Sequence, residues 1–120
     1  MDFGNDQAIY LQIADLICEY ILTGEWAEEE RIPSVRELAV SAEVNPNTVM
    51  RSFTWLQERN IIYNRRGIGY FVAKDAKKTT RQLKKNEFIN NHVPQFFKTM
   101  DLLEISFDEL YKLYKQRSKT

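Results

Sequence analysis

"SVRELAVSAEVNPNTVMRSF", Ser34 to Phe53, carries two helix-start signals with room for only a short helix between them, and that spacing decides the fold. Ser34-Val-Arg-Glu37 is a capping box, in which the serine hydroxyl and the glutamate carboxylate each satisfy a free backbone donor at a helix start. Val35, Leu38, Ala39 and Ala42 give this helix a narrow apolar side, and it should end near Glu43. After Val44, Asn45 is a natural cap. Pro46 suits the first helical position, where no donor is needed. The helix it opens should run to about Arg59. At roughly 100° per residue, Val49, Phe53 and Leu56 share one side of it, while Asn47, Arg51 and Thr54 share the other. Thr48, Met50 and Trp55 fall on its flanks. A short helix, a tight turn and a second helix with a buried stripe and a polar outer face make a helix-turn-helix.

Upstream, Gln7 to Thr23 places Ile9, Ile13, Leu16, Ile17, Tyr20 and Ile21 at helical spacing, and Gly24 supplies a stop. Trp26 to Glu30 reads as an acidic connector that ends at Ile32-Pro33. Downstream, "IIYNRRGIGYFV" from Ile61 to Val72 is rich in β-branched and aromatic residues and broken by Gly67 and Gly69. Two short strands with a glycine turn fit it, with Arg65 and Arg66 just before the tip. Such a hairpin beside a helix-turn-helix is a wing.

From Lys74 the composition turns basic, in "KDAKKTTRQLKK", which begins either a linker or the exposed first turns of a fourth helix. Ile89, Val93, Phe96, Phe97 and Met100 support that helix, with Pro94 kinking or interrupting it. A second capping box at Ser106 to Glu109 precedes Phe107, Leu110, Tyr111 and Tyr114 at helical spacing, which predicts a fifth. The expected fold is mainly α with a small β-hairpin: a winged helix-turn-helix over residues 1–75, then two C-terminal helices over 76–120.

A chain of 120 residues holds one compact domain or a small domain with a helical attachment. Its apolar runs are broken well before the roughly 18 residues of a membrane span, and no leader pattern opens it, so a cytoplasmic location without membrane contact is expected. One cysteine, Cys18, and one histidine, His92, make neither a disulfide framework nor a soft metal site. No nucleophile-base pattern appears either, so neither enzyme chemistry nor a cofactor is expected. The formal charge is zero, yet its distribution is uneven. Residues 1–30 carry eight acidic and no basic side chains, residues 31–75 seven basic and four acidic, and residues 76–120 ten basic and five acidic. A neutral total therefore conceals a basic part that can follow phosphates.

"IPSVRELAVSAEVNPNTVMRSFTWLQERNIIYNRRGIGYFV", Ile32 to Val72, resembles the winged helix-turn-helix of GntR-type bacterial transcription regulators. The Pro-Ser-Val-Arg-Glu-Leu-Ala and Asn-Pro-Asn-Thr-Val runs, with a tail of only about 45 residues, look most like the YtrA-type subgroup. The resemblance implies a homodimeric repressor or regulator on a two-fold operator of double-stranded DNA, with the helical tail making the dimer. It places DNA contacts on Ser34 and Arg36 of the second helix, on Asn47, Thr48 and Arg51 of the recognition helix, and on Arg66 and Gly67 of the wing. Pro46 and Met50 stand where many relatives outside the subgroup carry arginine or another polar residue, so no operator sequence carries over.

The side-chain chemistry points the same way. Arginine pairs with guanine O6 and N7 and asparagine with adenine in the major groove, each worth about 1–3 kcal/mol of discrimination. Thr48 at the helix start suits phosphate, and Arg65 or Arg66 on a glycine turn suits a narrow minor groove. The expected geometry is helix 46–59 in the major groove and the 65–69 wing at the minor groove. Plainer readings stand beside these: Ser34 as a cap alone, Arg36 paired with Glu37 or Glu43, Arg51 as a solvated charge, and Met50 and Trp55 as packing residues. Ile89, Val93, Phe96, Phe97, Met100, Leu110 and Tyr114 are expected at a dimer interface, because two short helices bury little alone. The alternative to DNA binding is a winged helix used only for protein contacts. The sequence assigns no small-molecule effector.

Overall fold

The structure, a computed structural model, describes residues 7–117. Among these described residues six α-helices and one hairpin follow in the order α1 (Ile9–Thr23), α2 (Val35–Ala42), α3 (Pro46–Glu58), β1 (Ile62–Arg65), β2 (Gly69–Val72), α4 (Ala76–Glu87), α5 (Val93–Leu102) and α6 (Phe107–Gln116). A π-helical turn, Phe88–His92, joins α4 to α5. The architecture is the mainly helical, winged one expected, and the fourth expected helix is the α4–π–α5 run. Its chain divides into two compact units, Met1–Gln82 and Leu83–Thr120. The division falls inside α4, because the first turns of α4 bury Ala76 and Thr80. The outermost residues of the two expected domains, 1–6 and 118–120, lie outside the described residues.

In the first unit α1 and α3 pack on each other. Helix α1 buries Ile13, Ala14, Ile17, Cys18 and Ile21. The expected stripe therefore holds at its centre and is corrected at its edges: Ile9 is 46% exposed, and Ala14 and Cys18 take the inner positions. Gly24 ends the helix in the left-handed region at φ 85, its N–H donating to the Ile21 carbonyl at 3.2 Å. Helix α3 buries Val49, Phe53 and Leu56, as their spacing requires, and Ser52 with them. Full burial of a side chain such as Phe53 stabilises the fold by about 1.5–3 kcal/mol.

The turn between α2 and α3 is tight because Glu43 takes a left-handed conformation, φ 56 and ψ 47. A side chain there costs about 1–2 kcal/mol relative to the right-handed helix. Asn45 then restarts the chain, its side-chain oxygen accepting the Asn47 N–H at 2.7 Å.

The acidic segment is more than a connector. Glu29 N–H donates to the Val72 carbonyl at 2.8 Å, Val72 N–H to that of Glu30 at 3.0 Å, and Ile32 N–H to that of Tyr70 at 2.9 Å. Arg31 and Phe71 thus form an antiparallel bridge at the open edge of β2. Ile32, 4% exposed, anchors that segment in the core, so its backbone has a fixed path past the hairpin.

The second unit is described by itself. Val93 N–H donates to the Phe88 carbonyl, the widened spacing of a π turn. Pro94 follows at the start of α5. Lacking an N–H and crowding the carbonyl four residues back, proline cannot sit in an unmodified α-helix, and the widened turn relieves it. Ser106 caps α6 by accepting the Glu109 N–H at 3.1 Å.

Candidate nucleic-acid interface

Asn47, Thr48 and Arg51 share one wall of an open cleft of about 370 Å³, whose other wall is Ala8, Ile9 and Tyr10 at the start of α1. Asn47 and Arg51 are exposed and Thr48 is half-buried. Helix α3 exposes them because its opposite side is fixed in the core. Within the cleft the Arg51 guanidinium carbon lies 4.0 Å from the centre of the Tyr10 ring. Arg51 is therefore not a loose solvated charge. A part-buried hydrogen bond holds the two helices in register below it: the Ser52 hydroxyl donates to the Tyr10 carbonyl oxygen at 2.6 Å.

At the start of α2 the capping box is complete. Ser34 Oγ accepts the Glu37 N–H at 3.1 Å, and Glu37 Oε1 accepts the Ser34 N–H at 3.0 Å. The Ser34 backbone N–H, then its hydroxyl, hold the Glu37 carboxyl below its ordinary range. Arg36 is exposed and forms no ion pair with Glu37 or Glu43; it lines a shallow groove with Val40, Glu43 and Pro46.

The hairpin registers Ile62 with Val72, Tyr63 with Phe71, Asn64 with Tyr70 and Arg65 with Gly69. Ile68 N–H donates to the Arg65 carbonyl at 2.8 Å across the turn, where Gly67 has φ 78. A side chain at Gly67 would be strained by that backbone. Gly69 also has a positive φ, 143, and a Cβ there would stand 3.0 Å from Arg31 Nε, so that side chain would have to shift as well. The two wing arginines differ. Arg65 reaches over the Phe71 ring at 5.1 Å, while Arg66, in the turn itself, is exposed and has no ion pair among the described residues. Tyr63 stacks on Phe71 at 5.7 Å and donates to Glu29 Oε2 at 3.0 Å. Desolvation, followed by Glu29, raises the Tyr63 pKa above its ordinary value.

Tyr70 connects hairpin and recognition helix, its ring edge-on to Phe53 at 4.8 Å and its hydroxyl 4.0 Å from Met50 Sδ. Met50, 40% exposed, thus has a packing partner on the wing. Tyr10, Ser52 and Arg31 were not among the sequence candidates. Ser52 had a signal: it completes the Val49, Phe53, Leu56 stripe, and a polar residue on a buried stripe requires a bonding partner. Tyr10 and Arg31 depend on contacts with α3 and β2 that no local pattern displays.

Among the described residues no cluster of histidine, cysteine or carboxylate side chains could hold a metal ion, and no helix is long and apolar enough to cross a membrane. Cys18 is buried, as its place on α1 suggests.

A helix-turn-helix with a polar, outward first turn on its second helix, flanked by an arginine-bearing hairpin, defines the winged-helix class of DNA-binding regulators. The chain belongs to the gntR family of bacterial regulatory proteins, whose model matches residues 9–72. It is 32% identical over 118 residues to the HTH-type transcriptional repressor YtrA of Bacillus subtilis, covering 98% of this chain and 90% of that protein. Other curated relatives are matched over only 14% to 61% of their own length. A GntR-family regulator from Bacteroides thetaiotaomicron has a similar structure, with 52% identity, TM-score 0.75 and coverage of 91% of this chain and 95% of that one. The DNA-binding domain of AraR, solved in complex with an operator, is 25% identical with TM-score 0.53, covering 61% of this chain and 90% of that one.

Proposed function

We propose that this protein is a transcription regulator, a repressor, that binds a two-fold operator as a homodimer. Helix α3 enters the major groove and the tip of the hairpin lies at the minor groove. The observation that carries this reading is the first turn of α3, where Asn47, Thr48 and Arg51 line a cleft open to solvent while Val49, Ser52 and Phe53 are buried behind them. Asparagine and arginine one turn apart are suited to adenine and guanine edges, and Thr48 to phosphate. Ser34, Arg36, Arg65, Arg66 and Gly67 supply backbone and minor-groove contacts around them. The operator complex of AraR and the repressor YtrA support the assignment.

The second unit is the dimerisation tail in this reading. It leaves Ile89 48%, Phe96 48%, Phe97 53% and Tyr114 60% exposed, and Leu102, Leu103, Phe107 and Leu113 more so than Tyr114 or nearly as much. On α6, Phe107, Leu110, Tyr111 and Tyr114 line a hollow of about 290 Å³. So much exposed apolar surface is characteristic of an interface, and a second copy would cover it. Val93 and Leu110 are half-buried, and Met100 is 9% exposed, so Met100 supports this face from within the chain.

Footprinting on the promoter region of its own gene at two salt concentrations tests the reading. Two protected half-sites about one helical turn apart, weakened by salt, are expected. Sedimentation as a monomer at micromolar concentration, with and without DNA, would rule out the two-fold arrangement.

A further inference from the structure

We infer that Tyr10, on the first turn of α1, is a specificity-determining positioning residue: its ring fixes the direction from which Arg51 meets the bases. This rests on the DNA-reading role proposed for α3. An exposed arginine samples many rotamers, and ordering it on DNA costs affinity. Here Arg51 already lies over the ring, its guanidinium carbon 4.0 Å from the ring centre, with no salt bridge among the described residues to compete for it. The mode of contact matters as much as its existence. A carboxylate partner would occupy the guanidinium N–H edge, the same edge that pairs with guanine. A ring offers no carboxylate oxygen to that edge, so it holds the cation without the paired acceptors that would compete with guanine.

The backbone that carries the ring is itself held. The Tyr10 carbonyl lies 2.6 Å from the Ser52 hydroxyl, on the same helix as Arg51 and one residue beyond it. The start of α1 that carries the ring is therefore tied to the helix that carries the guanidinium. Tyr10 also lines the cleft with Asn47 and Thr48, so the start of α1 forms a wall of the reading surface.

The test uses the full-length protein with a promoter fragment defined by footprinting. Binding is compared between that fragment and versions with single base pairs replaced, for wild type, Tyr10→Phe, Tyr10→Leu, Tyr10→Met, Arg51→Ala and Tyr10→Leu/Arg51→Ala. Arg51→Ala identifies the base pair that Arg51 reads. At that position Tyr10→Leu is expected to reduce discrimination by about two- to five-fold, the range of an exposed cation–ring contact. Tyr10→Phe keeps the ring and keeps the discrimination. In the Arg51→Ala background Tyr10→Leu changes discrimination no further. Melting curves monitor folding, and Tyr10→Met provides the same measurement if the leucine variant melts early. Discrimination that survives both Tyr10→Leu and Tyr10→Met, or that falls equally with and without Arg51, overturns the Tyr10 role alone. A wild-type protein with no sequence preference overturns the DNA-reading role and the Tyr10 role together.

Discussion

The hydroxyl of Ser52 on α3 lies 2.6 Å from the backbone carbonyl oxygen of Tyr10 on α1, inside an otherwise apolar contact. Ser52 also lies 3.2 Å from its own helix at the Thr48 carbonyl, so the shorter, cross-helix bond is the one that sets register. Ser52→Ala removes it while leaving the volume nearly unchanged. A loss of about 1 kcal/mol in urea denaturation is expected, the usual net worth of one such bond. An unchanged midpoint would show that packing alone sets the register.

Thr80 presents the opposite case. Its Oγ1 is buried without a hydrogen-bond partner among the described residues. Thr80→Val replaces an unpaired hydroxyl by a methyl group of similar shape, and a gain of about 1 kcal/mol is expected in thermal unfolding. A marked loss would mean that the hydroxyl is bonded in solution.

The capping box gives a pH dependence. Glu37 is held below its ordinary value of 4.5 by the Ser34 N–H and hydroxyl. A depressed carboxyl contributes stability that is fully present above its unfolded pKa and is lost as pH falls through its folded one. Glu37→Gln should therefore lower the melting temperature at pH 7 and make progressively less difference to it below about pH 4.5. A difference that persists unchanged at pH 3 would argue against the carboxylate as the stabilising form.

On the wing, Arg66 is the free arginine and Arg65 is engaged with Phe71. Arg66→Ala is expected to weaken binding to all DNA sequences alike and to reduce the slope of log affinity against log salt by about 0.9, one phosphate contact. Arg65→Ala should affect the slope less. Equal effects on the slope would show that the Phe71 contact opens on binding.

Much of this was legible in the chain. Ser34 and Glu37, and then Asn45 and Pro46, write their helix starts in local chemistry, and Val49, Phe53 and Leu56 write the buried face of α3 in their spacing. Those local signals also marked Asn47 and Arg51 as outward-facing and Thr48 as flanking them. What stayed hidden depends on chain segments far apart: Arg51 stacking on Tyr10, 41 positions earlier, Met50 meeting Tyr70, and Glu29 to Ile32 pairing with β2. Periodicity gives the face of a helix that points inward, whereas which residue of another element meets it is set only when both are packed.

Replacing Arg51 by alanine tests the central claim most directly. Affinity for the footprinted operator and for an unrelated duplex of equal length is measured at one fixed salt concentration. If α3 reads the major groove, the ratio between the two falls by about five- to 150-fold, equivalent to the 1–3 kcal/mol of one base contact. An operator preference that Arg51→Ala leaves unchanged contradicts the assignment of α3 as the reading helix.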